Sequence, residues 1–159
     1  NVELALRLAG VPRSQRRAQA LELLTLVRLD NAADRRPHEL SGGMRQRVAL
    51  ARALAQDSAL LLMDEPFAAL DAITRDALHE ELIRLWSEQG LSVVFVTHNV
   101  REAVRLGQRV LLMSSRPGRI VREWQVELSQ PRTIESPGVS ALAAEITHHL
   151  RAEICRHAR

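Results

Sequence analysis

The 159 residues contain no lysine and no tyrosine, a single cysteine, and only four aromatic residues, Phe67, Trp86, Phe95 and Trp124. Each absence excludes something. A phosphate-binding loop of the form G-x-x-x-x-G-K-[ST] needs its lysine to reach the β- and γ-phosphates. Glycine occurs at 10, 42, 43, 90, 107, 118 and 138, no two of them five apart, so the sequence carries no such loop. Without lysine and tyrosine almost nothing titrates above neutrality until arginine does. The isoelectric point of about 10.7 is therefore an arithmetic result of a net charge of only +3, and not the footprint of a nucleic-acid surface. The aromatics are too few for a single-strand stacking platform, so no nucleic-acid partner is expected. Cys155 alone can form neither an internal disulfide nor a multi-cysteine zinc site, which is compatible with a reducing cytosol. The unbroken apolar stretches, such as 59–63 and 93–96, are of strand length, far from the roughly 20 residues of a membrane span. The opening NVELALRLAG has no basic-then-apolar design, so no signal peptide is expected.

What is present is a soluble-type composition, 46% hydrophobic and 26% charged, in which helical and strand patterns alternate. Leu4 and Leu8 predict a first helical face. Ser14 is the expected cap of a second helix with an Ala18, Leu21 and Leu24 stripe, and 31–37 reads as a polar connection. After Ser41-Gly42-Gly43, residues 44–56 are rich in helix formers, with Val48, Ala51 and Ala55 at helical spacing. The run 59–63, ending in two acids, predicts a buried parallel strand. Asp71 is placed to cap a helix whose Leu78, Leu82, Leu85 and Trp86 share a face, and Gly90 to end it. A second buried strand is expected at 93–96, a short helix at 99–106 stopped by Gly107, a third strand at 109–113, a type II turn at Arg116-Pro117-Gly118 and a returning strand at 120–128. Leu142, Ile146, Leu150 and Ile154 mark a last amphipathic helix after a proline-containing linker. The alternation argues a parallel α/β sheet with flanking helices.

Asp64 and Glu65 fall at the C-terminal end of a strand, the end at which parallel sheets bind ligands. A carboxylate there can hold Mg²⁺, and its neighbour can polarise a water; an acidic pair capping the next loop is the plainer alternative. Ser41-Gly42-Gly43 opens a helix, where bare amides and the helix dipole favour an anion; alternatively Ser41 is an ordinary N-cap. His98 ends the second strand and could reach a phosphate or a water, or be structural. His148 and His149 lack a third ligand.

The order and spacing LSGGMRQR, LLLMDEP, Leu70-Asp71 and VTHN together resemble the ATP-binding subunit of ABC transporters. Residues 40–47 look like the ABC signature, 60–65 like Walker B, 68–71 like the D-loop and 96–98 like the switch-histidine loop. The stretches EAVRLGQRVLLMSSRPGRIVRE and DEPFAALDAITR are similar to the nitrate/sulfonate/taurine branch of bacterial importers. The resemblance covers roughly residues 1–128 and weakly the tail. It implies a partial P-loop NTPase (ABC ATPase) α/β fold using ATP and Mg²⁺. Asp64 would serve the metal, Glu65 would be the catalytic base and His98 would contact the γ-phosphate. Ser41, Gly42 and Gly43 would contact ATP held by a second subunit, and Asp71 would sit at the dimer interface. The implied partners are a second ATPase subunit in a homodimer, transmembrane permease subunits and a periplasmic or lipoprotein substrate-binding protein. The implied location is cytoplasmic, peripheral on the inner face of the plasma membrane.

The sequence departs from the family pattern in three ways. Walker A and the glutamine loop have no counterpart, Asn99 stands where an Asp is usual, and Ala68 replaces a small polar residue or Gly of the D-loop. The expected organisation is the C-terminal part of a longer ATPase, expected to be inactive alone. Residues 1–40 would end the helical subdomain, 41–128 would hold the signature helix and α/β core with a C-terminal hairpin, and 129–159 the linker and last helix. The alternatives are a non-transport ABC ATPase, of the DNA-repair or translation-linked kind, and a non-catalytic interaction remnant.

Overall fold

A computed structural model describes residues 1–157, in two compact units, Asn1–Val96 and a second beginning at Thr97. The first unit runs α1 (Val2–Leu8), α2 (Arg13–Leu26), two 3₁₀ turns (Asp30–Ala32 and Pro37–Glu39), α3 (Gly42–Leu54), β1 (Leu60–Asp64), α4 (Ala72–Gln89) and β2 (Ser92–Val96). Helix α1 packs against both α2 and α3. The faces differ from those expected. Val2, Ala5 and Leu6 of α1 are buried while Leu4 and Leu8 are exposed. In α2, Ala20 and Leu24 are buried, and Ala18 and Leu21 face solvent. Alanines, which lose no side-chain entropy on burial, share these buried faces with Leu6 and Leu24. Pro12, not Ser14, precedes α2; Ser14 falls inside the first turn, where proline's fixed φ already sets the entry.

Helix α3 begins at Gly42, so the glycine pair is its first two residues and Ser41 its N-cap. Ala51 and Ala55 are buried as their spacing predicts. Helix α4 is capped by Asp71, buries Leu78, Leu82 and Leu85, and ends at Gly90 in the left-handed region (φ 64°), which glycine adopts without a Cβ penalty. Strands β1 and β2 pair in parallel, Leu60 opposite Ser92 through Asp64 opposite Val96. Parallel pairing is the expected arrangement, but burial on both faces is not observed. Leu61 is buried, whereas Leu60, Leu62, Val94 and Val96 are exposed. A continuous apolar run suits a strand covered on both sides; among the described residues only one side of this pair is covered.

The second unit contains α5 (Val100–Leu106), β3 (Arg109–Met113), β4 (Ile120–Gln125) and α6 (Pro137–His157). Its strands form an antiparallel hairpin, Arg109 opposite Gln125 and Leu111 opposite Glu123. This is the expected C-terminal hairpin, and β4 stops three residues before the expected end. The Arg116–Pro117 peptide is cis, and the turn closes through Ser114, whose N–H donates to Arg119 O at 2.8 Å, in place of the expected type II turn. Val104, Val110, Leu112, Trp124, Val126, Val139, Ala143 and Ile146 form the core, with Leu142 and Leu150 packed against it. Ile154 lies outside, 58% exposed, so the α6 stripe ends before its last expected member.

One charged side chain organises this unit. Arg132 is 6% exposed. Its guanidinium donates to Val104 O (2.9 Å), Gly107 O (2.7 Å), Val126 O (3.2 Å) and Leu128 O (2.7 Å). It thus caps the C-terminal carbonyls of α5 while tying the segment after β4 to them. Burial lowers its pKa from the ordinary arginine value.

Candidate functional site

The C-terminal end of β1 and the loop that follows it are built residue by residue. Pairing continues one step past the strand, since Glu65 N–H donates to Val96 O at 2.9 Å. Glu65 itself has φ 46°, in a region that costs a non-glycine residue about 1–2 kcal/mol. Such residues persist where surrounding structure over-determines them, and they cluster at functional sites. The loop then tightens, with Ala68 N–H donating to Glu65 O (3.3 Å) and Leu70 N–H to Phe67 O (3.2 Å). Phe67 and Leu70 are buried. The Phe67 ring meets the ring of His79 on α4 edge-to-face, centroids 4.5 Å apart.

The loop ends at Asp71, whose carboxylate accepts from Thr74 N–H at 2.9 Å. That backbone donor, helped by the Thr74 side chain and the charge of Arg47, holds its pKa below the ordinary carboxylate value. Arg75 Nη2 donates to Leu70 O at 2.9 Å.

Helix α3 lies against the same loop. Ser41 Oγ accepts from Met44 N–H at 3.2 Å, so the hydroxyl makes the N-cap bond that was the plainer reading of this serine. The two glycines are not equivalent. A Cβ on Gly43 would stand 2.7 Å from Ala69 O and 3.3 Å from Leu70 Cδ2, whereas a Cβ on Gly42 would meet nothing within 4 Å. Gly43 is thus required by the approach of the loop backbone; nothing among the described residues requires Gly42. One turn on, the Gln46 side chain spans the loop. Its Nε2 donates to Glu65 O and its Oε1 accepts from Ala69 N–H at 3.1 Å. Arg45 Nη1 donates to Leu40 O (2.6 Å) and Arg47 Nη1 to Arg28 O (2.7 Å), fixing the entry to the helix.

The structure thus gathers Ser41, Gly42, Gly43, Asp64, Glu65 and Asp71 around one loop–helix junction. His98 belongs to the second unit and is exposed there. The residues on either side of it are held. Asn99 N–H donates to Thr97 Oγ1 (3.0 Å), and Asn99 Oδ1 caps α5 by accepting from Arg101 N–H (3.1 Å) and Glu102 N–H (3.4 Å). An asparagine serves as well as an aspartate in that role. Sequence reasoning missed Gln46; its only advance signal is an amide side chain three residues after Gly43, on the same helical side.

His149 meets Arg122, Nη1 to Nε2 at 2.6 Å. The guanidinium of Arg122 in turn lies 5.0 Å from the Trp124 ring centroid, and Trp124 Nε1 donates to Glu145 at 2.8 Å. A packing role accounts for this histidine. No group of three or more metal-ligating side chains occurs among the described residues. Asp64 offers one exposed carboxylate, which fits a magnesium ion held mainly by water and phosphate oxygens and would not form a protein cage. A cavity of about 300 Å³ between the N-terminal elements is lined by Val2, Arg17, Leu24, Leu29 and Leu40 among others and by none of the candidate residues. No helix among the described residues is long and apolar enough to cross a membrane.

Residues 2–68 match the ABC transporter domain family. The chain is 47% identical over 156 residues to the taurine import ATP-binding protein TauB of Rhizobium johnstonii, covering 96% of this chain and 60% of that protein. It is 43% identical to the uncharacterized ABC transporter ATP-binding protein MJ0412 of Methanocaldococcus jannaschii, covering 98% of this chain and 58% of that protein. Among solved structures, the dimeric bacterial ABC transporter cassette MJ0796 superposes with a TM-score of 0.73 at 37% identity, over 80% of this chain and 56% of that one. Its post-hydrolysis state bound to ADP and Pi gives a TM-score of 0.67 at 38% identity, over 75% of this chain and 50% of that one. The chain spans about half to three-fifths of the length of the proteins it matches. With a partial P-loop NTPase fold, the chain is similar over nearly its whole length to ATP-binding proteins of ABC transporters, and its residues 2–68 match the ABC transporter family.

Proposed function

We propose that this chain forms the signature and hydrolysis part of the ATP-binding subunit of an importer, with taurine or a related small anion as cargo. The observation that carries the reading is the junction of α3 with the loop 65–71, where the strand-end carboxylate Glu65 is held in a left-handed conformation beside the diglycine helix N-terminus. In this reading residues 1–40 end the helical subdomain, 41–128 carry the signature helix and α/β core, and 129–159 form the linker and last helix. Asp64 holds Mg²⁺, which neutralises charge on the phosphates when bound. Glu65 orients the attacking water and accepts its proton. His98 contacts the γ-phosphate.

The amides of Gly42 and Gly43, which α-helix geometry leaves without partners within the helix, and Ser41 face ATP seated on a second copy, with Asp71 at that interface. The chain has no lysine-bearing phosphate loop of its own, so binding and turnover belong to the full-length ATPase. Its partners are a second ATPase subunit, permease subunits and a substrate-binding protein, and it works at the inner face of the membrane. The printed name of the Rhizobium relative supports taurine as the cargo.

The test is Glu65→Gln in the full-length ATPase. Turnover should fall about 10²–10⁴-fold, the usual worth of a general base, with ATP binding and ATP-driven dimerisation retained. Near-normal turnover refutes the assignment.

A further inference from the structure

We propose that Gln46 is a positioning residue that sets the backbone of Glu65 from the signature helix; this deepens the reading of Glu65 as the water-activating carboxylate and rests on it. The geometry is specific. Gln46 Nε2 donates to Glu65 O, and its Oε1 accepts from Ala69 N–H at 3.1 Å. A backbone carbonyl only accepts and a backbone N–H only donates, so the orientation of the amide is fixed by chemistry. A primary amide is the uncharged side-chain group that can donate and accept at this spacing.

The Glu65 peptide groups are then held from two sides. Val96 O takes its N–H at 2.9 Å, while its carbonyl receives Gln46 and, at 3.3 Å, Ala68 N–H. These bonds hold Glu65 at φ 46°, a conformation that a non-glycine residue keeps only under such constraint. Gly43, three residues earlier on α3, presses on the same Ala69 backbone. Movement of the helix N-terminus is therefore transmitted to Glu65 through one side chain. The link joins the segment proposed to face the partner's ATP to the segment proposed to activate water.

Two variants separate this role from a simple loop clamp. Gln46→Leu removes both bonds. Gln46→Glu keeps an acceptor for Ala69 N–H and loses the donor to Glu65 O. In the 159-residue protein, amide exchange at Ala69 should quicken at least about tenfold in Gln46→Leu and stay slow in Gln46→Glu, with the later turns of α3 unchanged. In the full-length ATPase both variants should lose at least about tenfold in kcat with KM for ATP unchanged, because a loop clamp alone would leave Gln46→Glu active. An Ala69 amide that exchanges freely in the unmodified protein, or equally in all three proteins, overturns the proposal. Normal kcat in Gln46→Glu beside a silent Glu65→Gln overturns it while leaving the proposed function standing. Retained turnover in Glu65→Gln overturns the reading of Glu65 and this proposal with it, whatever Ala69 does.

Discussion

Adding one methyl group to each of two adjacent glycines should give opposite results. At Gly43 the new carbon would stand 2.7 Å from Ala69 O and 3.3 Å from Leu70 Cδ2. Ala69 O is backbone, so no rotamer change relieves the contact; the loop or the helix must move. Forcing extra atoms into a packed site costs about 1–3 kcal/mol. At Gly42 the methyl meets nothing within 4 Å and φ is not in the left-handed region, so Gly42→Ala should be neutral or stabilise by about 0.4–1 kcal/mol through the unfolded state. The expected gap between the two variants is roughly 1–4 kcal/mol.

Urea unfolding at 222 nm measures it, and amide exchange in α4 assigns the change to the first unit. A second readout is local. Displacing Ala69 in Gly43→Ala should weaken its bond to Gln46 Oε1 and speed exchange of the Ala69 amide; Gly42→Ala should not. Equal stability of the two variants, or a more stable Gly43→Ala, would refute the packing argument. In the full-length ATPase Gly42→Ala should lower turnover despite its intact stability, because its methyl occupies the space open to an incoming phosphate.

Two further outcomes follow from buried and capping charges. The Asp71 carboxyl titrates below its ordinary value because Thr74 N–H favours the anion, so its stabilisation is complete above the unfolded carboxylate pKa of about 3.9 and is lost as pH falls through the lower folded value. Melting curves of the protein and of Asp71→Asn should therefore differ near neutrality and converge in acid; a gap that persists unchanged at pH 2 would contradict the assignment. Arg132→Leu leaves four carbonyls short of donors, each buried loss costing about 1–3 kcal/mol. Exchange in α5 and the β3–β4 hairpin should rise together by at least about 2 kcal/mol, and Arg132→Lys, a point charge without the planar fork, should recover only part; unaltered exchange in Arg132→Leu would remove the residue from its organising place.

Much of the chain was legible because local chemistry agreed with the fold. Asp71, Gly90, Asn99 and Gly107 mark the helix ends they were expected to mark, and strand 109–113 falls where its pattern puts it. The failures share a cause. Leu4 and Leu8 share a face by spacing, Leu62 lies in a continuous apolar run and Ile154 closes the last helical stripe, yet all four are exposed. Periodicity tells which residues share a face, but not whether anything covers that face. The antiparallel pairing of β3 with β4 was legible too, because Pro117 and Gly118 mark a turn between two strand-length runs. Arg132 gave no signal at all, because one arginine among 22 reads as surface until four carbonyls converge on it.

Physical roles now divide the signature segment residue by residue. Ser41 closes the first turn of α3. Gly43 is small because Ala69 O lies against it. Gln46 is an amide because a carbonyl and an N–H face it at once. These three are tied to internal neighbours, and replacing Gly43 or Gln46 disturbs the loop that carries Glu65 and Asp71. Gly42 is different: among the described residues no neighbour, no left-handed torsion and no close backbone contact accounts for the missing side chain. Helix propensity would favour almost any other residue there. Under the proposed function, the demand at this glycine at the positive end of a 13-residue helix comes from outside the chain, and an anion approaching bare amides is the chemistry that such a position accepts.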